Sequence, residues 1–312
     1  MTDRAPPILV TGANGLVGRR VVEALLARGH RVRTHGRSAA ARTREGVEHR
    51  TGDLLDTGSL GDLVHGVSAV CHLAAFIPPN HADSSFAEEC YRVNALATLR
   101  LAEAALGAGV PRFVFTSSAS GYPGSEGSAL GNKSVTEETV PYPAARACYY
   151  LTSKLAAELY LDHLARTRGL SLVTLRVSSV YGPEMASGAV LRRFLSLAAE
   201  GSALTVQGGG IPASDFVFVD DVASLVAAAV ESETTGTFNA GSGEHTSLLA
   251  LAHAVKATYP DREVTVNVEP PRGAPAPSFA ALDIAKARRE LGYSPVTLTE
   301  GLARMRRALE PA

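Results

Sequence analysis

Apolar and polar positions follow two rhythms along this chain. A short β-branched run, Ile8 to Val10, predicts a strand, and a glycine-rich stretch follows at once. Leu16, Val17, Val21, Val22, Leu25 and Leu26 then recur at helical spacing up to Gly29, which suits a C-cap. Val32 to Thr34 resumes as a strand. Strand, glycine turn, helix and strand make one βαβ unit, which implies a parallel sheet. The alternation continues with a buried strand at Ala69 to Leu73, a long helix at Glu88 to Leu106 and a strand at Arg112 to Thr116. Tyr149 to Arg166 predicts a helix and Leu172 to Arg176 a strand. This order defines an α/β fold with a doubly wound parallel sheet.

Past Val180 the pattern loosens. It offers a helix at Ala189 to Glu200, a glycine-rich turn at Gln207 to Pro212 and a short strand at Asp215 to Val219. A Pro-rich stretch, Pro270 to Pro277, precedes two short helices. The expected organisation is a sheet domain over residues 1–182, with 213–242 returning to it. Residues 183–212 and 243–312 are left for a smaller C-terminal lobe.

Composition narrows the function classes. The 312 residues carry 30 Lys+Arg against 31 Asp+Glu, a net charge of −1, with 46% hydrophobic residues, so the chain is neither disordered nor low-complexity. A chain this long buries roughly 75% of its unfolded surface and needs no disulfide staples. The neutral balance argues against a nucleic-acid partner. Three cysteines, at positions 71, 90 and 148, form no metal-ligand spacing, so no metal is expected, and their odd number fits reduced thiols in a cytoplasmic protein. The opening MTDRAPPILV lacks a signal-peptide run, and nowhere do about 18 apolar residues follow one another, so no membrane partner is expected.

The first glycine stretch carries chemistry. Gly12, Ala13, Asn14, Gly15, Leu16, Val17 and Gly18 lie between the first strand and first helix, as in a Rossmann-type dinucleotide site. Gly12 suits a tight turn, Gly15 lets backbone approach a pyrophosphate, and Gly18 permits close helix–sheet packing. The helix N-terminus offers free N–H groups and a partial positive charge to phosphate. The sheet domain is therefore expected to bind NAD or NADP. A ribose partner belongs at the end of the second strand, where the residues are His35, Gly36, Arg37 and Ser38. No carboxylate stands there to accept from a ribose hydroxyl, and Arg37 suits a 2′-phosphate, which favours NADP; the competing reading makes Arg37 a solvated loop cation. Asp53 and Leu54 close the third strand, where an acid contacts the adenine amine or caps the next helix.

Tyr150 and Lys154 stand four residues apart on one helix face. A phenol with a pKa near 10 is a poor base, and a nearby cation, the lysine or an oxidised nicotinamide, favours its phenolate. The preceding strand runs into Thr116, Ser117, Ser118, Ala119 and Ser120, hydroxyls at the sheet's carboxyl end that either hold a substrate oxygen or cap a turn.

With these residues the chain resembles the extended short-chain dehydrogenases/reductases of the NAD-dependent epimerase/dehydratase family. Further matching segments are His72, Leu73, Ala74 and Ala75 beside the cofactor, Asn94 in the long helix, and Val180, Tyr181, Gly182 and Pro183 beside the nicotinamide. Asp215 to Val222, Phe238 to Gly243 and Asp283 to Pro295 resemble late family motifs. The resemblance implies that Tyr150 is the acid/base and that Lys154 binds the nicotinamide ribose and lowers the phenol pKa. It also implies that Ser118 bonds the reacting oxygen, with Ser120 assisting, and that Tyr149 is a packing residue. Cofactor contacts are implied at Gly12, Asn14, Gly15, Leu16, Val17, Gly18, Arg37, Asp53, Leu54, Leu73, Ala74, Ala75, Asn94 and Val180. A homodimer through the helices at Glu88–Leu106 and Tyr149–Arg166 is implied too.

The family's dehydratases carry an Asp–Glu pair where this chain has Ala119 and Ser120, so elimination is disfavoured. Its nucleotide-sugar members hold diphosphate with an asparagine and an arginine where this chain has Ser179 and Ser214, while Arg272 matches a later family arginine. Arg192 or Arg193 are candidate replacements. The expected function is an NAD(P)-dependent epimerase or ketoreductase acting on a small molecule, a sugar or sugar nucleotide, with Ser118, Ser120, Ser179 and Arg272 as substrate contacts. The alternatives are an NADPH-dependent reductase of a small carbonyl compound and, against the Tyr–Lys–Ser set, a non-catalytic sensor.

Overall fold

The computed structural model describes residues 5–38, 44–122, 134–142, 147–271 and 278–310. Its elements run β1 (Ile8–Thr11), α1 (Leu16–Ala27), β2 (Val32–Gly36), β3 (Val47–Thr51), α2 (Thr57–Val64) and β4 (Ala69–His72). Next come α3 (Ala87–Cys90), a π-helical turn (Tyr91–Leu96) and α4 (Ala97–Gly107), then β5 (Phe113–Ser118), α5 (Cys148–Arg168) and β6 (Leu172–Val177). The later part holds β7 (Ser179–Tyr181), α6 (Val190–Ala199), β8 (Leu204–Val206), β9 (Ala213–Ser214), β10 (Phe216–Phe218) and α7 (Val219–Glu231). It closes with β11 (Gly236–Ala240), β12 (Thr246–Ser247), α8 (Leu248–Thr258), β13 (Val266–Val268), α9 (Ala285–Leu291) and α10 (Leu298–Leu309).

Seven strands form one parallel sheet in the order β11-β6-β5-β4-β1-β2-β3. The fold is the doubly wound, Rossmann-type α/β architecture. From β1 the chain winds outward through β2 and β3, then returns to β4 on the other side of β1. The order reverses between β1 and β4, and the crevice for a ligand opens at the carboxyl ends of those two strands.

Both faces of the sheet are covered. On one, Val21, Val22 and Leu25 of α1 share a buried core with Ala223, Val226 and Ala227 of α7, and the two helices pack together. On the other, Leu101 and Ala105 of α4 pack with Leu161 and Leu164 of α5 over Phe113 and Phe115. A third core, with Phe194, Leu251, Val255, Leu302 and Met305, fills the C-terminal part, where β8–β13, β7–β10 and β9–β12 form separate two-stranded sheets. Buried Asp215 joins the late segments: its carboxylate accepts from the Ser242 amide (2.6 Å), the Gly243 amide (3.1 Å) and the Leu282 amide (3.0 Å).

Two expected boundaries move. The strand expected at Asp215 to Val219 is only Phe216–Phe218, because Val219 already opens α7. The third strand ends at Thr51, so Asp53 stands two residues beyond it.

Candidate active site

A cleft of about 1010 Å³ opens over the carboxyl ends of β1 and β4. The glycine loop forms its floor, with Gly12, Asn14, Gly15, Leu16, Val17 and Gly18 all lining it. Gly12 has φ +68°, and a Cβ there would lie 2.6 Å from the Ala74 amide nitrogen. A Cβ on Gly18 would lie 2.1 Å from the Gly12 carbonyl oxygen. Close packing at Gly18 is thus against the backbone of Gly12 and Ala13, directly after β1. No side chain caps α1, and its first residues Leu16, Val17 and Gly18 line the cleft. That uncapped, backbone-lined cradle fits a pyrophosphate.

Around the cleft stand most of the expected residues. Leu73, Ala74 and Ala75 follow β4, Asp53 and Leu54 follow β3, and Arg37 stands exposed after β2. Of the two readings of Asp53, the helix cap belongs instead to Asp56, whose carboxylate accepts from the Gly58 amide at 3.1 Å. Asp53 accepts from the Leu55 amide at 2.9 Å in the turn before it. A residue the sequence reading passed over shapes the Arg37 turn. His49 Nε2 lies 2.9 Å from the Ser38 carbonyl, and its Nδ1 lies 2.9 Å from Thr34 Oγ1.

The reacting end gathers Ser118, Tyr150, Lys154 and Val180. Ser118 Oγ accepts from the Ser120 amide at 3.2 Å, so its own proton stays available for donation to a ligand oxygen. Ser120 itself does not line the cleft; it contributes that amide. Tyr149 stays outside the cleft wall as well.

Burial dominates the pair on α5. It pushes the Tyr150 phenol up to about 12, helped by the Cys90 thiol, and pushes the Lys154 ammonium down to about 7, opposed by Glu158. The lysine was expected to lower the phenol pKa; within the cleft burial sets the direction instead. A lysine titrating near neutrality carries only part of its charge there, and its Nζ sits 4.2 Å from the centre of the Phe115 ring. Beside Tyr150 lies another residue the sequence reading missed. The His81 ring is 6.2 Å from the phenol ring, edge to face, and its buried Nδ1 has no hydrogen-bond partner among the described residues.

Two further expected contacts lie elsewhere. Asn94 is fully buried behind the wall, its amide committed to the Phe76 backbone (2.7 and 2.9 Å) and to Ser153 Oγ (3.0 Å). Ser179 is not in the cleft wall, and its hydroxyl pairs with that of Ser214 at 2.5 Å. The two hydroxyls satisfy each other: β7 pairs Ser179 with Phe216 of β10, and the Ser179 amide donates to the Asp215 carbonyl at 3.1 Å, next to Ser214. Arg272 lies outside the described residues. Of the suggested replacements, Arg192 lines a separate hollow of about 240 Å³ with Tyr259 and Leu309, and Arg193 is exposed. Among the described residues no group of three or more His, Cys, Asp or Glu could hold a metal ion, and no helix is long and apolar enough to cross a membrane.

A glycine cradle at the switch point of a doubly wound sheet, with a helix-borne tyrosine and lysine at its reacting end, defines a dinucleotide-dependent enzyme of the extended short-chain dehydrogenase/reductase type. The chain belongs to the NAD-dependent epimerase/dehydratase family, whose model matches residues 8–241. It is 33% identical over 316 residues to the UDP-glucose 4-epimerase of Mycolicibacterium smegmatis, covering 95% of this chain and 96% of that one. The Thermotoga maritima UDP-glucose 4-epimerase, solved with UDP-glucose, superposes with a TM-score of 0.83 at 27% identity, covering 97% of this chain and 98% of that one. The Thermus thermophilus UDP-glucose 4-epimerase, solved with NAD, superposes with a TM-score of 0.81 at 28% identity, covering 98% and 99%.

Proposed function

We propose that this chain is a 4-epimerase of a UDP-sugar. The observation that carries the reading is the convergence of the glycine cradle with Ser118, Tyr150 and Lys154 in one cleft. The likeness to UDP-glucose 4-epimerases along almost the whole chain supports it. A bound dinucleotide supplies the site with reversible hydride acceptance. Tyr150 takes the proton of the sugar hydroxyl through its phenol oxygen and returns it when the alcohol re-forms. Ser118 donates a hydrogen bond to the same substrate oxygen and keeps its proton, and Lys154 orients the cofactor ribose from the next turn of α5. Ala119 and Ser120 provide no acid–base pair for elimination, so the cycle ends at the epimer.

In this reading residues 183–212 and 243–312 form the substrate lobe, the enzyme works in the cytoplasm, and a second copy packs on the face that exposes Tyr91 and Leu159. Arg37, with no carboxylate beside it at the end of β2, supports NADP, whereas relatives are solved with NAD; the ratio of the two dissociation constants decides.

The test is conversion of UDP-glucose to UDP-galactose without net change in nicotinamide absorbance. Tyr150→Phe is expected to lower kcat by about 10²–10⁴-fold while dinucleotide binding persists. A second reading, an NADPH-dependent reductase of a non-nucleotide carbonyl compound, is favoured by the mutual Ser179–Ser214 bond, which places no cation at that point of the site. Stoichiometric NADPH consumption with freely exchanging cofactor, and no epimer, would establish that reading in place of the first.

A further inference from the structure

Separate stretches of chain make the cleft walls, and one buried residue is bonded towards each. His72, the last residue of β4, is fully buried, with Nδ1 2.7 Å from Thr11 Oγ1 and Nε2 2.8 Å from Thr98 Oγ1. Its proton can be placed from its neighbours. Thr98 Oγ1 donates to the Asn94 carbonyl at 2.7 Å, so towards His72 it only accepts. Nε2 therefore carries the proton, and Nδ1 accepts from Thr11. Thr11 Oγ1 in turn accepts from the Ala74 amide at 3.3 Å.

The chain of bonds continues past Asn94, which sits in the π-helical turn. Asn94 holds Phe76 by its backbone and donates to Ser153 Oγ at 3.0 Å; Ser153 donates to the Tyr150 carbonyl at 2.7 Å. At one end the chain reaches Thr11, which precedes Gly12; at the other it reaches the turn of α5 that carries Tyr150 and Lys154. The imidazole also stacks on Phe115 (5.8 Å, 21°), the ring on which Lys154 Nζ rests. The ionisable groups near it, Lys154 on α5 and His35 on β2, both oppose a charge on His72, as burial does.

We propose that His72, with its single proton on Nε2, is a positioning residue that holds the glycine loop in register with Tyr150 and Lys154. This rests on the dinucleotide-binding part of the functional reading and not on the sugar. His72→Phe keeps the stacked ring and removes both bonds. His72→Asn returns an acceptor towards Thr11, and His72→Gln returns a donor towards Thr98.

Two quantities are measured for each variant. One is the dissociation constant of the oxidised dinucleotide. The other is the Tyr150 titration midpoint in that complex, taken as the ultraviolet difference from the same variant carrying Tyr150→Phe. His72→Phe is expected to bind dinucleotide about tenfold more weakly and to raise the midpoint by about one pH unit. His72→Asn should recover the affinity and leave the midpoint raised; His72→Gln should do the reverse. If His72→Phe does not fold, the Asn and Gln pair carries the comparison. Unchanged affinity and midpoint in a folded variant would overturn the proposal, and so would Asn and Gln variants that lose both in step with Tm. No sugar enters either measurement, so a failed epimerase assay does not decide it.

Discussion

Lys154 is kept where an ammonium is least welcome. Its pKa of about 7 in the folded chain lies well below its ordinary 10.5, so between those values the unfolded chain binds more protons. Stability therefore rises as pH increases from about 7 towards 10.5, and the burial penalty is full below 7. Lys154→Met should abolish turnover yet raise stability at pH 7 by about 1–4 kcal/mol. That gain should shrink as the pH approaches 10, and thermal melts across this range check it; a wild type more stable than the variant at every pH would refute the account. The placements legible in the sequence were those that depend on neighbours a few positions away, such as Gly12 and Gly15 in the loop and Tyr150 and Lys154 on one helix face. Asn94, Ser120 and Ser179 came out differently because distant partners decide where their side chains spend their hydrogen bonds. His49 and His81 escaped for the same reason, having nothing periodic around them to mark them.

At the level of elements, α5 is fastened to the sheet by a charged pair. Arg176 Nη2 of β6 donates to Glu158 Oε2 at 2.8 Å, and both side chains are about 10% exposed. Arg176 also donates to the Tyr122 hydroxyl at 3.0 Å and the Glu137 carbonyl at 3.1 Å, so the pair holds those two residues as well. Glu158→Ala leaves a buried guanidinium without its carboxylate and should cost about 3–5 kcal/mol, measured by denaturant unfolding. It also removes the charge that supports Lys154, so the ammonium should titrate lower still. The long helices were legible because each carries its period over enough residues to be counted, and the central strands because each is a compact apolar run buried on both faces. The π-helical turn was not, since one widened turn leaves the apolar rhythm of residues 87–107 intact. Neither were the two- and three-residue strands of the C-terminal part, which are too short to show any alternation. The helix α7 was masked because its apolar start continues the strand before it.

Across the whole molecule, the last helix is fitted to the strand beside the cleft. A Cβ on Gly301 of α10 would fall 1.8 Å from the Tyr181 hydroxyl, and Tyr181 adjoins Val180 of the cleft wall. Gly301→Ala should therefore destabilise the chain by about 1–3 kcal/mol, and Tyr181→Phe in the same chain should recover part of it. A double-mutant cycle that comes out additive would disprove the contact. The pairing of α1 with α7 has a different consequence, one that concerns time. The first helix is made by residue 27, but its apolar partner ends at Glu231. At typical synthesis rates a ribosome takes on the order of 10–40 s to cover that interval. For all of it, Val21, Val22 and Leu25 ride on the nascent chain without the cover that α7 supplies, so the segment that begins the nucleotide site is also a natural early client for a chaperone.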